Sequence, residues 1–592
     1  MVQPADHQRG LPQIPVSEPI APGSLETPDV DEQSDCESED ESAGSPDGSS
    51  THRTKTFFQD ARQRKPASPR DLEEGKLSKS TSSSSLVSAQ KKKAQAQLAL
   101  IPEIDPFEYH GLDSSPLPPK IGSRVYRYLR WNFGSVYRRI FCLVFLGNAA
   151  ALAVLIAKSV TSGGRLFTFS QAATATTANL LAALVVRNEH VVNALFWVFG
   201  SWSHSLPFWA RKLVAKIYSY GGIHSGGAVA GTIWYIAYLV LLTLDFQTAG
   251  PVTVLRSYIY FVSYTILAFL VTMLIFAHPH LRIVMHNWFE GIHRFLGWSV
   301  VLLFWAQTLL LTADSAAASS TSIGSALVVS PSFWMLVVIT LLVVYPWTRM
   351  RLRNVKAEVL SSHCVKLSFD YRNVYYGQAV RLTDAPLKET HAFGVVPFPT
   401  AAPQAPFSDT SSSNTTLSTY TDPNTNKQGF SVYVSSAGDW TRKIIANPPT
   451  KIYTRGTPQF GILRVAGLFK PCVMVATGSG IAPCLSLFVQ SPTHPVRIVW
   501  STPAPLETYG RAVVDLIYRT DPRAIIIDTR KPAVGKRPDL VKIVYRVCEA
   551  EGFGKEGEEP AVVVISNQRV TRKVIYGLES RGVPAYGAIF DS

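Results

Sequence analysis

Six apolar stretches dominate the middle of this chain: Ile140–Ala157, Leu166–Val186, Gly226–Phe246, Tyr258–Phe276, Phe295–Thr312 and Phe333–Trp347. Each approaches the roughly 20 residues that a helix needs to cross hydrocarbon, and flanking residues can extend them. Basic residues alternate with these stretches. Arg127, Arg130, Arg138 and Arg139 precede the first, Arg187, Arg211, Lys212 and Lys216 lie between the second and third, and Arg282 and Arg294 lie between the fourth and fifth. Arg349, Arg351 and Arg353 follow the last, whereas the intervening loops carry only Lys158, Arg165 and Arg256 near span ends. That bias predicts a six-helix transmembrane bundle over 119–350 with both chain ends cytosolic. The lipid bilayer is then a partner, and the plasma membrane is the favoured location.

After Arg353 the period changes. Val355–Leu360, Val365–Phe369, Phe430–Val434 and Ile462–Val465 alternate in and out as antiparallel strands do, which predicts a β-barrel over 351–470. The Ser-, Thr-, Asn- and Pro-rich residues 401–428 read as a surface insertion in that barrel. From Pro471 onward the apolar runs Val473–Ala476, Val496–Trp500, Ala524–Ile527 and Ala561–Ile565 alternate with helical stretches, the pattern of a doubly wound parallel α/β domain over 471–592. Residues 1–118 run acidic at Asp29–Glu41, Ser-rich at Ser82–Ser85 and basic at Lys91–Lys93, too polar to offset their ordering entropy. They are expected to be a disordered leader, either a phosphorylated regulatory tail that docks signalling proteins or a plain solvated extension. Met1–Pro28 holds no apolar stretch, so no cleavable signal is expected there.

Composition removes several classes. The net charge of +14 sits beside the apolar spans rather than in a basic stripe with interleaved aromatics, which argues against nucleic acid. The six cysteines include no Cys-x-x-Cys pair, which argues against zinc and a disulfide framework. A nucleotide-driven transporter would carry a Gly-x-x-x-x-Gly-Lys-Ser/Thr loop, and the sequence has none.

The candidate chemistry begins where the run Val473–Ala476 opens onto Thr477-Gly478-Ser479-Gly480-Ile481-Ala482-Pro483. A strand, a Gly-x-Gly turn and a helix start let backbone amides approach a pyrophosphate with the positive helix end behind them. A tight turn without a ligand has the same residues. Pro483 stands where ordinary dehydrogenases have a third glycine.

Gly-Ser-Gly-Ile-Ala-Pro resembles the corresponding turn of the ferredoxin-NADP reductase superfamily, in which a flavin barrel precedes the nicotinamide domain. With six preceding spans the chain resembles the ferric reductase and NADPH oxidase branch. It looks most similar to the TmpA-type transmembrane flavoproteins of filamentous fungi, on His286-Asn287-Trp288-Phe289-Glu290, Arg294-Phe295-Leu296-Gly297-Trp298, Gly438-Asp439-Trp440-Thr441 and the ending Ala585–Ser592. The resemblance implies FAD held by His391-Ala392-Phe393 and by Gly438, Asp439, Trp440 and Thr441, although His391 alone also fits a strand-end histidine and Asp439 or Thr441 simple helix caps. It implies NADPH or NADH at Gly478, Ser479, Gly480, Pro483 and Asn567, with Ser566 beside it. Phe590 would cover the flavin ring, or would be ordinary strand burial. The reactive Cys-Gly-Pro of that superfamily is replaced by Ser566-Asn567-Gln568. Arg530, Lys531 and Arg537 are candidates for a 2′-phosphate.

That branch also stacks two hemes on histidine pairs about 13 or 14 residues apart. Here His224 and His293 are placed to hold one inner heme, while the outer positions are Ala237 or Tyr238 and Ala306 or Gln307. Interfacial histidines without iron read equally well. The expectation is a membrane flavoprotein oxidoreductase that takes electrons from NAD(P)H through FAD to an unknown acceptor, with a role in conidiation implied by the resemblance. The alternative is a redox-sensing or scaffold protein that holds FAD without sustained turnover.

Overall fold

The computed structural model describes residues 112–164, 167–200, 206–398, 429–530, 538–554 and 560–588. The expected insertion 401–428 and most of the leader lie outside them.

The long helices run Val136–Thr161, Phe169–Val185, Gly221–Thr248, Val254–Ala277, His286–Ser319 and Pro331–Thr348. Their starts are written locally. Ser135, Thr168 and Thr253 each accept a hydrogen bond from the backbone amide three residues on, of Arg138, Gln171 and Arg256, and the Gln171 side chain in turn accepts from the Thr168 amide. Glycines set how closely the Gly221–Thr248 helix meets its neighbours. A Cβ on Gly222 would lie 2.4 Å from the Tyr137 carbonyl oxygen, and one on Gly227 would lie 2.9 Å from that of Asn179. Small residues thus let two helices approach from different sides.

By length and composition five of the described helical spans can cross a membrane, or six if Phe169–Val185 and Glu189–Gly200 count as one span bent by 63°. The second expected stretch forms the helix Phe169–Val185, and the bend falls just beyond it, before Glu189–Gly200, so the six-helix transmembrane bundle expected from sequence is not shown. The bend follows Val185, where Val186, Arg187 and Asn188 interrupt the helix. Two polar clusters lie inside the bundle. Gln307 Nε2 donates to Tyr235 (2.7 Å), Tyr238 (3.1 Å) and Ser263 (2.6 Å), and Asn148 Oδ1 accepts from Asn179 and Trp234.

Seven antiparallel strands follow: β1 (Arg351–Asn354), β2 (Lys356–Val359), β3 (Cys364–Phe369), β4 (Gln378–Thr383), β5 (His391–Pro397), β6 (Phe430–Ser435) and β7 (Lys451–Phe460). Their order is β1-β7-β4-β5-β6-β3-β2. The edge strands β1 and β2 are separated in sequence by Val355 alone, so the sheet has to curl until its two edges come together. Val365, Leu367, Val380, Leu382, Val395, Val432 and Ile452 fill the inside. The fourth expected strand is corrected: Ile462–Leu468 is a 3₁₀ helix. It follows Gly461, and it buries Leu463, Val465 and Ala466 together instead of alternating them.

The last unit is a parallel sheet of order β10-β9-β8-β11-β12, with β8 (Cys472–Thr477), β9 (Val496–Thr502), β10 (Ile525–Asp528), β11 (Ala561–Ile565) and β12 (Ala585–Gly587). The chain builds outward from β8 through β9 to β10, then returns to place β11 on the other side of β8. The direction of winding therefore reverses between β8 and β11, where sheets of this kind leave a crevice at their carboxyl ends.

Residues just ahead of the first helix are fastened to this unit. Lys542 donates to the Asp113 carbonyl, Arg546 to that of Pro116 and Arg581 to that of Pro118, while the Ile121 amide donates to the Ser580 carbonyl. Leu112 and Leu117 pack on its apolar core. The end of the expected disordered leader is thus a strap on the α/β domain.

The Glu189–Gly200 helix joins bundle to sheet. Asn193 donates to the Pro458 carbonyl (3.0 Å) and accepts from the Phe460 amide (2.9 Å), completing the polar edge of β7. Asn193→Leu leaves the Phe460 amide without its partner and the Pro458 carbonyl with only the longer bond from Gln378 Nε2, and the expected loss is about 1–3 kcal/mol. Denaturant unfolding of the full chain measures it, and an unchanged midpoint would show that the joint does not depend on this amide.

Candidate functional site

The Gly-x-Gly turn stands where β8 ends, at the winding reversal. Gly478 has φ of 50°, a left-handed conformation that glycine adopts without strain, and its carbonyl accepts from Trp500 Nε1 at 2.9 Å. Gly478–Gly480 forms one 3₁₀ turn that runs directly into the Ile481–Gln490 helix. Ser479 is exposed on the turn. Thr477 and Ser566, each at the end of a central strand, share a hydrogen bond across the reversal.

Gly480 serves a purpose the sequence did not show. A Cβ there would lie 2.1 Å from the Ile565 carbonyl oxygen, so glycine is required for the turn to close against the end of β11. Asn567 is also reassigned. Its Oδ1 accepts from the Val570 amide at 2.9 Å and caps the Gln568–Glu579 helix, a structural duty that the sequence did not show. Pro483 meets β5: a Cβ on Gly394 would lie 2.7 Å from Pro483 Cγ. This contact seats the barrel strand of His391 and Phe393 beside the nucleotide turn.

On the barrel, Trp440 lies against both expected partners, its ring centroid 4.4 Å from His391 and 5.8 Å from Phe393. His391 Nε2 and Trp440 Nε1 are buried without a hydrogen-bond partner. Ala392 falls on the other side of the strand, in register with Arg381. Thr441 accepts from the Ala437 and Gly438 amides and donates to the Gly438 carbonyl, so it closes the turn before the Asp439–Ala446 helix. Asp439 is exposed and pairs with Arg442. Gly438 is extended, φ −174°, with nothing within 4 Å of a Cβ built on it. Of this quartet, Trp440 is the side chain turned toward the barrel histidine, whereas Thr441 and Asp439 act within their own turn.

Thiol chemistry has no place here. Burial pushes the Cys484 thiol up to about 12 and the Cys364 thiol up to about 11, so neither forms a thiolate near neutral pH. Phe590, Lys531 and Arg537 lie outside the described residues. Arg530 is exposed, and its amide donates to Asp528.

His224 and His293 do come together, with ring centroids 6.2 Å apart and planes at 62°. His224 Nδ1 also contacts the Ala183 carbonyl oxygen at 2.9 Å. His293 lies two turns inside the helix that starts at His286. Farther along the same helices, Tyr238 and Gln307 occupy the outer positions and bond to each other. No group of three metal-ligating side chains occurs among the described residues. Two imidazoles in edge contact are the whole of the support for heme, and it is not carried into the functional reading.

Comparison with known proteins changes the assignment. The family model for the C-terminal domain of adenylate-forming reductase 03009 matches residues 462–592. Adenylate-forming reductase 03009 of Coprinopsis cinerea is 38% identical over 513 residues, which is 86% of this chain and 46% of that protein. Adenylate-forming reductase 06235 of the same fungus is 37% identical over 514 residues, 87% of this chain and 46% of its own length. The chain thus spans about half the length of the curated relatives it matches. Among solved structures, a ferredoxin NADP+ reductase from Neisseria gonorrhoeae with bound FAD and NADP aligns with 41% of this chain and 99% of its own, at 12% identity and a TM-score of 0.29. A flavohemoglobin from Malassezia yamatoensis aligns with 72% of this chain and 99% of its own, at 12% identity and a TM-score of 0.32.

These relatives overturn the likeness to TmpA-type membrane flavoproteins. The curated proteins that match most of the chain are named adenylate-forming reductases, so the reading as a membrane electron carrier in conidiation, with its sensor or scaffold alternative, is withdrawn.

Two substitutions separate packing from ligand contact. Gly480→Val is expected to destabilise the α/β unit by about 1–3 kcal/mol through overpacking against Ile565, seen as a lower unfolding midpoint in the absence of any nucleotide. Asn567→Ala should cost about 1 kcal/mol through the lost cap and leave pyridine-dinucleotide affinity unchanged in a binding titration.

Proposed function

We propose that residues 351–592 form an NAD(P)H-dependent reductase unit that uses FAD. The observation that carries this reading is the contact of Gly394 with Pro483, because it brings the His391–Phe393 strand alongside the turn at the winding reversal of the parallel sheet. Two ligands bound at those places would lie close enough for transfer between them, and proximity of this kind is the main service a protein gives to such chemistry. The word reductase in the names of both curated relatives agrees with it. Adenylate formation is said of those longer proteins.

FAD fits the residues present. The rings of Phe393, Trp440 and His391 offer an aromatic surface, and the unpartnered His391 Nε2 and Trp440 Nε1 offer polar contacts beside it. When bound, flavin accepts a hydride and can release electrons one at a time. The chain's part is to hold and orient. The Gly478–Gly480 turn presents backbone amides and a helix start to the dinucleotide phosphates. Thr477 and Ser566 place hydroxyls at the crevice floor, and the Gly394–Pro483 contact fixes the spacing between the two units. Either pyridine dinucleotide suits this arrangement.

A separate proposal concerns location: the long apolar helices lie in a bilayer, with lipid as their partner. The Val136–Thr161 helix supports this, since between Arg139 and Lys158 it is apolar apart from Asn148, and none of its residues is buried by protein.

Purified full-length chain incubated with FAD should retain it through gel filtration, and NADPH or NADH added without oxygen should bleach the flavin band. A well-folded chain that takes up no FAD would end the reading. Gly394→Val, which forces β5 away from Pro483, should keep FAD and slow bleaching by about 100-fold.

A further inference from the structure

The short helix Arg124–Asn132, just ahead of the first long helix, buries none of its residues. Val125, Tyr126, Leu129 and Phe133 are 67%, 56%, 52% and 62% exposed. Phe133 ends the helix, its amide donating to the Leu129 and Arg130 carbonyls. A spacing of four carries Val125, Leu129 and Phe133 along one side, and a spacing of three carries Arg124, Arg127 and Arg130 along the other. Contiguous apolar surface of this kind marks a place where something binds.

The rest of the chain holds this helix by its other side. Trp131 falls with the arginines and meets Tyr576 edge-on, ring centroids 5.1 Å apart. Lys120 places its ammonium 4.9 Å from the centroid of the same ring, and the Ile121 amide donates to the Ser580 carbonyl. These contacts tie the helix to the α/β unit and turn its apolar side away from that unit. Gly134 and Ser135 alone separate Phe133 from the Val136–Thr161 helix, none of whose residues is buried. Charge then distinguishes among partners. Lys120, Arg124, Arg127, Arg130, Arg138 and Arg139 crowd this stretch, and no Asp or Glu occurs between Asp113 and Glu189. A phospholipid leaflet, apolar within and anionic at its surface, matches both sides of the helix at once.

We propose that the Arg124–Asn132 helix lies in the plane of the bilayer surface, with Val125, Leu129 and Phe133 at the acyl boundary and its arginines among anionic lipid headgroups. This rests on the placement of the long apolar helices in a bilayer and adds to it a lipid class. Through Tyr576 the same helix holds the α/β unit beside the headgroups.

The test puts an environment-sensitive nitrobenzoxadiazole label on Leu129→Cys in the full-length chain, in a background of Cys36→Ser and Cys142→Ser, and carries it into phospholipid nanodiscs. Val125→Cys repeats the measurement if the first variant does not fold. With about one-third phosphatidylserine the emission should move to the blue and be quenched by spin-labelled acyl chains, and quenching should be at least about threefold weaker in phosphatidylcholine alone. Arg124→Gln and Arg130→Gln together should bring the phosphatidylserine value down toward the phosphatidylcholine one. A label that stays in water in both discs overturns the proposal and leaves the spanning helices in place. Equal quenching in both discs overturns it too, since the anionic headgroup then has no part. A blue shift in detergent that grows with protein concentration assigns the face to a second copy of the chain and likewise overturns it. A well-folded chain that enters no disc removes the bilayer placement as well.

Discussion

The side-chain amide of Asn193 completes β7 from outside the sheet, and the rest of the architecture is arranged around that joint. It accepts from one backbone group of the strand and donates to another, as a neighbouring strand would, but it comes from a helix. Around it Arg464 lies among the rings of Trp197, Tyr376 and Phe460, while Arg211 donates to the Leu468 carbonyl. Lys216 reaches farther still and pairs with Glu579 of the α/β unit at 2.7 Å. The bent helix meets the curled sheet through Asn193 and Trp197, and the segment after it reaches the rest of the chain through Arg211 and Lys216.

The joint also sets how closely the units approach. Bringing Glu189 down onto Gly456 places a carboxylate among arginines in a region with little water, where unpaired polar groups are costly. On the opposite side of β5, Gly394 admits Pro483 and draws the nucleotide turn against the barrel. Both approaches depend on glycine, one at a turn with positive φ and one on an ordinary strand. The candidate site is consequently made at seams between units, where loss of a single Cβ controls distance.

The chain aligns with about half the length of two adenylate-forming reductases. The family match begins at residue 462, within the 3₁₀ segment that leads into β8, and so covers the parallel sheet. The upstream strap formed by residues 112–121 binds the back of that same sheet, so the nucleotide unit is fastened from both sides.

Periodicity alone determined the long helices, the three barrel strands β2, β3 and β6 and the core of the doubly wound sheet, because burying one face of an element requires a repeat that matches its geometry. It also located the Gly-x-Gly turn, since a strand, a tight turn and a helix start are local events. It failed at Ile462–Val465, where a run of apolar residues is buried on several sides at once and reads the same for a strand or a tight helix. Resemblance of short motifs led to the wrong protein class, because a few matching residues report a local turn and not a function. Only tertiary structure could show that Gly480 faces Ile565, that Asn567 caps a helix through its Oδ1, and that Glu189 comes from a distant part of the chain to lie against Gly456. Contacts between residues far apart in sequence leave no period to read, and the chemistry of this protein depends on them.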